Sequence, residues 1–431
     1  MKTLAFAAPV LGFCLVLPAG GRTWTSSDGK TLEADFVKLD GAQVHLRAAD
    51  GKALTVPLAR LSAADQSYAK SQPAPAAPAV KAVPSKNPAK DAESYASAVA
   101  RINEEHVKKP GQATEDDLAQ KLPASAAAAL QSVVAAPDGA PGLAAALMKL
   151  GQATLDLSRA DDFSAVRRRL ESLDAAEAQK LGQAAFRPRV VVRAIGDFAP
   201  DYAEKFAGLV EAAMAAYDGT FGFNGFSKIP GKKLRFRVHL EPEIKAPPHF
   251  APEFPWHSEV DFPVAEKDGF HSPTPNGQFL LYGLCHELGH VIAMWGDMKN
   301  MEDHHAWAHY TGVVVVEQLQ KAPPGTAFLE TARDLRWRSL AVERNLPENK
   351  RPPSLADKDG VMALLIALHD AVGPKAIGAA INWLEAEGKS PRINHVRYYG
   401  FDGLKRALKA TVTEADKKEK VLALFAPAGD R

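Results

Sequence analysis

His286-Glu287-Leu288-Gly289-His290 sets two imidazoles four residues apart with a carboxylate between them. On an α-helix, residues i and i+4 stack on one face, so both rings can turn toward one point. Imidazole is a good zinc ligand, and a catalytic zinc takes three protein ligands and keeps one position open. The ion lowers the pKa of a water towards 7, which supplies hydroxide at neutral pH, and the intervening Glu287 is placed to act as general base. The chemistry expected is hydrolysis, of peptide bonds first of all. The segment from Phe279 to Trp295 is otherwise largely apolar, as suits a helix buried in a core. Cys285 points about 100° around the helix from His286 and is expected to be a small buried hydrophobe, not a ligand.

A third ligand must come from downstream. The long metzincin form places a glycine three residues after the second histidine and a third histidine three further on; Ala293 and Gly296 occupy those places and exclude it. Five of the chain's 13 histidines lie between 286 and 309: His286, His290, His304, His305 and His309. Residues 300–319 are predicted to form a second helix, with Asp303 as N-cap and Val313 to Leu319 as its apolar end.

Taken together, these segments resemble a gluzincin, the group that includes thermolysin and aminopeptidase N. In aminopeptidase-like members the second helix begins Glu-Gly-Phe/Trp-Ala, the glutamate being a zinc ligand. His305-Ala306-Trp307-Ala308-His309-Tyr310 follows that pattern, with a histidine where the glutamate stands. The resemblance therefore implies Zn2+ held by His286, His290 and His305. Glu302, His304 and His309 stay open as alternatives, and Glu317 sits well down the helix. His309 lies one turn beyond His305, at the offset where gluzincins often carry a residue that orients a ligand histidine. Gluzincins also draw a tyrosine or histidine from the helical region after the zinc helices to stabilise the oxyanion. That implies His395, Tyr398 or Tyr399 here, while Tyr282, one turn before His286, shares the ligand face. The G-x-M-E-N exopeptidase sequence is not found, so aminopeptidase activity is not implied.

The elements that must position this site follow from patterning. Lys232 to Leu240 alternates like a half-buried strand. His257 to Val264 reads as a second, edge strand to which an extended substrate would add, with Pro263 acceptable at an edge. Lys267 to Gly277 is turn-rich and expected to frame the cleft. Arg187 to Arg193 reads as the first strand of the metal domain, followed by a helix from Pro200 to Tyr217. Asp357 to Ile377 resembles the helix pair that follows the gluzincin active site.

The chain has 431 residues, enough for more than one domain. Residues 1–21 have the pattern of a signal peptide: Lys2, an apolar stretch from Leu4 to Leu17, then Ala19-Gly20-Gly21. Residues 22–70 contain short strands punctuated by Asp28-Gly29, Asp40-Gly41 and Asp50-Gly51, then a helix capped by Ser62. This unit resembles the Sla homology domain, an SH3-like small barrel, with Trp24 and Phe36 expected in its core. Residues 71–90 are a Pro/Ala-rich linker, 91–185 an Ala/Leu-rich helical region broken at Pro137 to Gly142, and 186–431 the zincin-like domain.

The fold class expected is multidomain α+β: a small SH3-like β-barrel, a helical middle region, and a zincin-like metallopeptidase domain with a small sheet and a helical C-terminal part. The only cysteines are Cys14 and Cys285, so leader cleavage would leave no pair to form an intrachain disulfide. A net charge of +1 gives no electrostatic reason to expect nucleic acid as a partner. The function expected is that of an exported zinc peptidase of the periplasm, cell envelope or extracellular space. It would act on a peptide or protein substrate, with a possible protein partner for the N-terminal module and no integral membrane span after signal cleavage. The alternatives are an inactive zincin-fold scaffold of the cell envelope and a zinc hydrolase of a non-protein substrate.

Overall fold

The computed structural model describes residues 22–40, 43–48, 52–71, 83–108, 120–222, 233–241, 249–251, 259–265, 267, 280–292, 294–295, 301–321, 339–388, 392–393 and 396–425. The leader, most of the linker, His395 and all but Lys267 of the turn-rich loop lie outside them. The chain is a mixture of helix and strand in two compact units, Met1–Lys81 and Ala82–Arg431.

The first unit is an antiparallel meander of β1 (Arg22–Thr25), β2 (Thr31–Asp40), β3 (Gln43–Ala48) and β4 (Ala53–Pro57). A bridge between Ser26 and Leu61 and helix α1 (Ala63–Ser71) complete it. Trp24 is buried, stacks on Phe36 at 5.9 Å and donates its indole N–H to the Ala34 carbonyl at 2.9 Å. Ser62 caps α1 as expected, accepting from the Asp65 amide at 3.2 Å.

In the second unit, α2 (Pro88–Lys108), α3 (Ala124–Val134), α4 (Leu143–Asp156), α5 (Ala160–Leu173) and α6 (Ala175–Lys180) enclose one apolar cluster around Tyr95, Leu130, Leu147, Leu150 and Phe163. A five-stranded sheet follows, in the order β5 (Gln183–Phe186), β6 (Val190–Ile195), β7 (Leu234–Leu240), β9 (Glu259–Val264), β8 (His249–Ala251). The central strands β6, β7 and β9 run parallel; β5 and β8 are antiparallel edges. Strand β5 crosses the boundary expected after residue 185, and α2 begins inside the span expected to be linker.

The two faces of this sheet have opposite chemistry. Val190, Val192, Phe236, Val238, Val260 and Phe262 alternate onto one face, where Phe206 of α7 (Tyr202–Phe221) packs between Phe236 and Phe262 at 5.6 and 5.4 Å. Arg193, Arg235 and Glu259 share the other face and are buried too. Arg235 donates to the Leu155 and Asp156 carbonyls, and Arg193 pairs with Glu259. The carbonyls at a helix C-terminus lack intrahelical donors, so the guanidinium satisfies the end of α4 and joins the helical region to the sheet. β7 is thus covered on both faces around Arg235, not half-buried.

The edge position differs from the expectation as well. β9 lies inside the sheet, between β7 and β8, and the edge strand packed beside the HExxH helix is β8. Pro263 is tolerated because β8 pairs only with Glu259 to Asp261 and stops short of it.

The HExxH segment forms α8 (Leu280–Ile292), and α9 (Met301–Gln320) packs on it. Helix α9 starts two residues before Asp303, which therefore lies in its first turn and is not its cap. The short α10 (Leu340–Glu343), then α11 (Lys358–Val372), α12 (Pro374–Glu387), α13 (Phe401–Thr411) and α14 (Ala415–Leu424) complete the unit. Asp357 caps α11 through the Gly360 amide at 2.9 Å. Among the described residues no single helix is long and apolar enough to cross a membrane; α11 and α12 together have the composition, but they bend by 106°. The segment from Val396 to Tyr399 is a strand, β12, and not helix; it runs parallel to β10 (Met294–Trp295), with Met294 opposite Tyr398 and Trp295 opposite Tyr399.

Tyr310 of α9 and Nδ1 of His369 on α11 lie 3.0 Å apart. Burial, reinforced by the charge of Arg344, lowers the His369 pKa below that of an ordinary histidine. The unfolded chain then binds the proton first as pH falls below about 6.5. Stability contributed by this group is present above that pH and lost as pH drops toward the lower folded-state value. The thermal midpoint should therefore fall between pH 7.5 and 5.5, and His369→Gln should flatten that slope; an unchanged slope would remove His369 as its source.

Candidate metal centre

The site is set by how closely α8 and α9 approach. A β-carbon on Gly289 would stand 2.5 Å from Thr311 Oγ1 and 2.9 Å from Ala308 Cα, and one on Gly312 would stand 3.2 Å from the His286 nitrogen. Only glycine lets each helix backbone lie this near the other. Trp307 donates its indole N–H to the Gly289 carbonyl at 3.2 Å, and Tyr217 of α7 donates to the Cys285 carbonyl at 2.5 Å, 3.2 Å from Thr311 Oγ1. Cys285 is buried, and burial pushes its thiol well above the ordinary range, so it is a packing residue and not a thiolate.

At this crossing three rings converge. His286 Nε2 lies 3.2 Å from His290 Nε2 and 3.5 Å from His305 Nδ1, and one ring nitrogen from each of the three lies within 4.8 Å of the others. Two nitrogens bound at about 2.0–2.1 Å in a tetrahedral shell stand about 3.3–3.4 Å apart; the two separations from His286 lie near that value, and the three rings together could hold a metal ion. A separation of 3.2 Å is also that of a ring–ring hydrogen bond; the convergence of a third ring is what a pair alone would not produce. Burial, with His290, His309, His305 and Lys358 nearby, holds the His286 pKa well below the ordinary value, which favours the neutral imidazole a metal requires.

Glu287 is buried beside them, and both it and His286 line a cavity of about 410 Å³ with Tyr282, His305, His309, Glu343, Asn349, Lys358, Asp359 and Met362. The arrangement offers three nitrogen donors, an adjoining carboxylate and open space on one side. Such a set can hold a Lewis acid next to a general base.

The other residues singled out by sequence fall as follows. His305 is the α9 histidine that joins the pair. His309 is beside them but turned to other partners: its Nδ1 meets the Tyr282 hydroxyl and its Nε2 lies 2.8 Å from Glu343 Oε1. Glu302 and His304 lie in the first turn of α9, and their side chains are outside the described residues. Glu317 accepts from the Leu340 amide at 2.7 Å and caps α10. The backbone of Tyr398 and Tyr399 runs beside β10, just past the end of α8; their side chains and His395 lie outside the described residues. Glu343 was not legible in the sequence as a site residue, because it reaches His309 across 34 positions and sits in a short helix without a motif.

Residues 18–75 match the family model of SLA1 homology domain 1. No curated protein matches the chain.

If the glycine crossing sets the ligand spacing, Gly289→Ala should damage fold and site together. Alanine favours an isolated helix by about 1 kcal/mol over glycine, but here the added carbon meets Thr311 and the Ala308 backbone. Overpacking of this kind costs about 1–3 kcal/mol. The expected outcome is a lower thermal midpoint together with weakened zinc uptake in equilibrium dialysis; wild-type values for both would show that the crossing is not the limiting contact.

Proposed function

We propose that this chain is an exported zinc-dependent peptidase of gluzincin type, with a zincin-like domain preceded by an SH3-like Sla homology module. The observation that carries the reading is the convergence of His286, His290 and His305, with His286, His305 and buried Glu287 on the wall of one cavity. Three nitrogen donors also suit other first-row divalent ions; zinc is preferred because the HExxH helix pairs its ligands with a base placed for hydrolysis.

His286, His290 and His305 would hold the ion, which when bound would supply Lewis-acid polarisation and a lowered pKa for water. Glu287 would serve as the general base for water and then as the proton donor to the leaving amine. The cavity on the Tyr282, His309 and Met362 side gives the substrate room beside Glu287. Strand β8, the sheet edge against α8, is the element to which an extended peptide would add by main-chain hydrogen bonds. Tyr398 and Tyr399 remain the proposed oxyanion donors, since β12 places their backbone just beyond the second ligand histidine. The pattern of residues 1–21 supports export to the periplasm, envelope or exterior. The N-terminal module is proposed to dock a protein partner, a role open to many SH3-like folds.

Purified protein should contain close to one zinc per chain by elemental analysis, and His290→Ala should lose it. Glu287→Gln should keep the metal and cleave a peptide library about 10²–10⁴-fold more slowly. Zinc retained with no cleavage by wild type would favour a scaffold, and wild-type cleavage by Glu287→Gln would remove Glu287 as the base.

A further inference from the structure

Behind His286 runs a line of side chains that ends on a buried carboxylate. Glu343 Oε1 lies 2.8 Å from His309 Nε2, and Asn349 Nδ2 donates to Glu343 Oε2 at 3.0 Å. The other nitrogen of His309 meets the Tyr282 hydroxyl, whose oxygen lies 3.4 Å from His286 Nδ1. These residues come from α8, α9, α10 and the 3-10 turn Pro347–Lys350, and Glu343 is only 3 % exposed.

The direction of every proton in this line follows from its end. An ionised carboxylate only accepts hydrogen bonds, so His309 carries its proton on Nε2 and presents a lone pair at Nδ1. The Tyr282 O–H must then donate to His309 Nδ1. Its oxygen is left to accept from His286, which places the His286 proton on Nδ1 and the lone pair on Nε2. His286 Nε2 is the nitrogen that faces His290 and His305. Reversing any link would put a proton on that nitrogen and close it to a metal.

Building on the zinc reading, the geometry points to Tyr282, His309 and Glu343 as positioning residues that lock His286 in its metal-binding tautomer. None of the three is a ligand. The carboxylate acts on the site from two side chains away, where a direct carboxylate–histidine contact would be the shorter solution.

The test uses the full chain, stripped with a chelator and titrated with Zn2+ against a chromophoric competitor. Tyr282→Phe deletes one hydroxyl and should weaken zinc binding about 10–100-fold, with the apo thermal midpoint nearly unchanged. Glu343→Gln should weaken binding in the wild-type background and add little in the Tyr282→Phe background, because the link to His286 is already cut. Cobalt(II) substitution should give the same tetrahedral ligand-field bands in each variant, since the ligands themselves remain. Wild-type affinity in Tyr282→Phe, or an equal loss from Glu343→Gln in both backgrounds, would overturn the relay. Should Tyr282→Phe fail to fold, Glu343→Gln and His309→Asn are read by the same cycle, with additivity overturning the proposal. A wild-type chain that takes up no zinc would sink the metal reading as well; one that binds zinc while Tyr282→Phe matches it sinks the relay alone.

Discussion

The contact between α8 and α9 at Gly289 and Gly312 is the constraint on which the site rests. Two helices bearing ordinary side chains pack with axes 8–10 Å apart. Ligand nitrogens on the two helices must come much closer than that to share an ion. Here the backbones approach until the Gly289 position faces Ala308 Cα and Thr311 directly. His305, one turn before Ala308, is thereby carried to the face that holds His286 and His290. The residues locking the crossing, Trp307 and Tyr217, donate to carbonyls of α8 itself, so they fix its position along the axis as well as its distance. Large aromatic bodies bury area while their single polar atoms set register.

The same packing makes the histidine cluster chemically usable. Several imidazoles drawn together disfavour protonation of one another, and desolvation adds to the effect at His286, whose pKa is held well below the ordinary value. A cluster that runs from buried His290 to exposed His305 has little reason to exist for stability alone, because its rings contribute less than well-packed aliphatic groups and each ring nitrogen needs a partner. The surrounding polar network, Tyr282 to His309 to Glu343 to Asn349, supplies partners along the cavity wall. Buried polar networks rigidify a site when every member is satisfied.

The central part of the site was legible because it is local. His286, Glu287 and His290 lie in one helix, and their spacing alone puts them on one face. The choice of His305 over Glu302, His304 and His309 rested on the pattern His305-Ala306-Trp307-Ala308, and the helix phase brings that ring near the other two. The meander of residues 22–57 and its capped helix were equally legible, since turns and caps are written in adjacent residues. What sequence could not give was long-range pairing. β9 looked like an edge because of Pro263, yet a short strand, β8, covers only its first half. Val396 to Tyr399 was expected in a helical region, but it is held as strand by β10, a partner about a hundred residues earlier. Glu343 had no local signal at all.

The charged face of the sheet shows why the helical region belongs to the same unit. Arg193, Arg235 and Glu259 would be costly to bury against an apolar partner. They are tolerated because the end of α4 presents carbonyl oxygens that need donors, and Arg235 meets two of them. The opposite face is apolar along β6, β7 and β9 and takes α7, the helix whose Tyr217 reaches the α8–α9 crossing. A disturbance at the Arg235 end is therefore linked to the ligand pair through one sheet and one helix, both rigid elements. That continuity gives the helices from α2 to α6 a mechanical relation to the site.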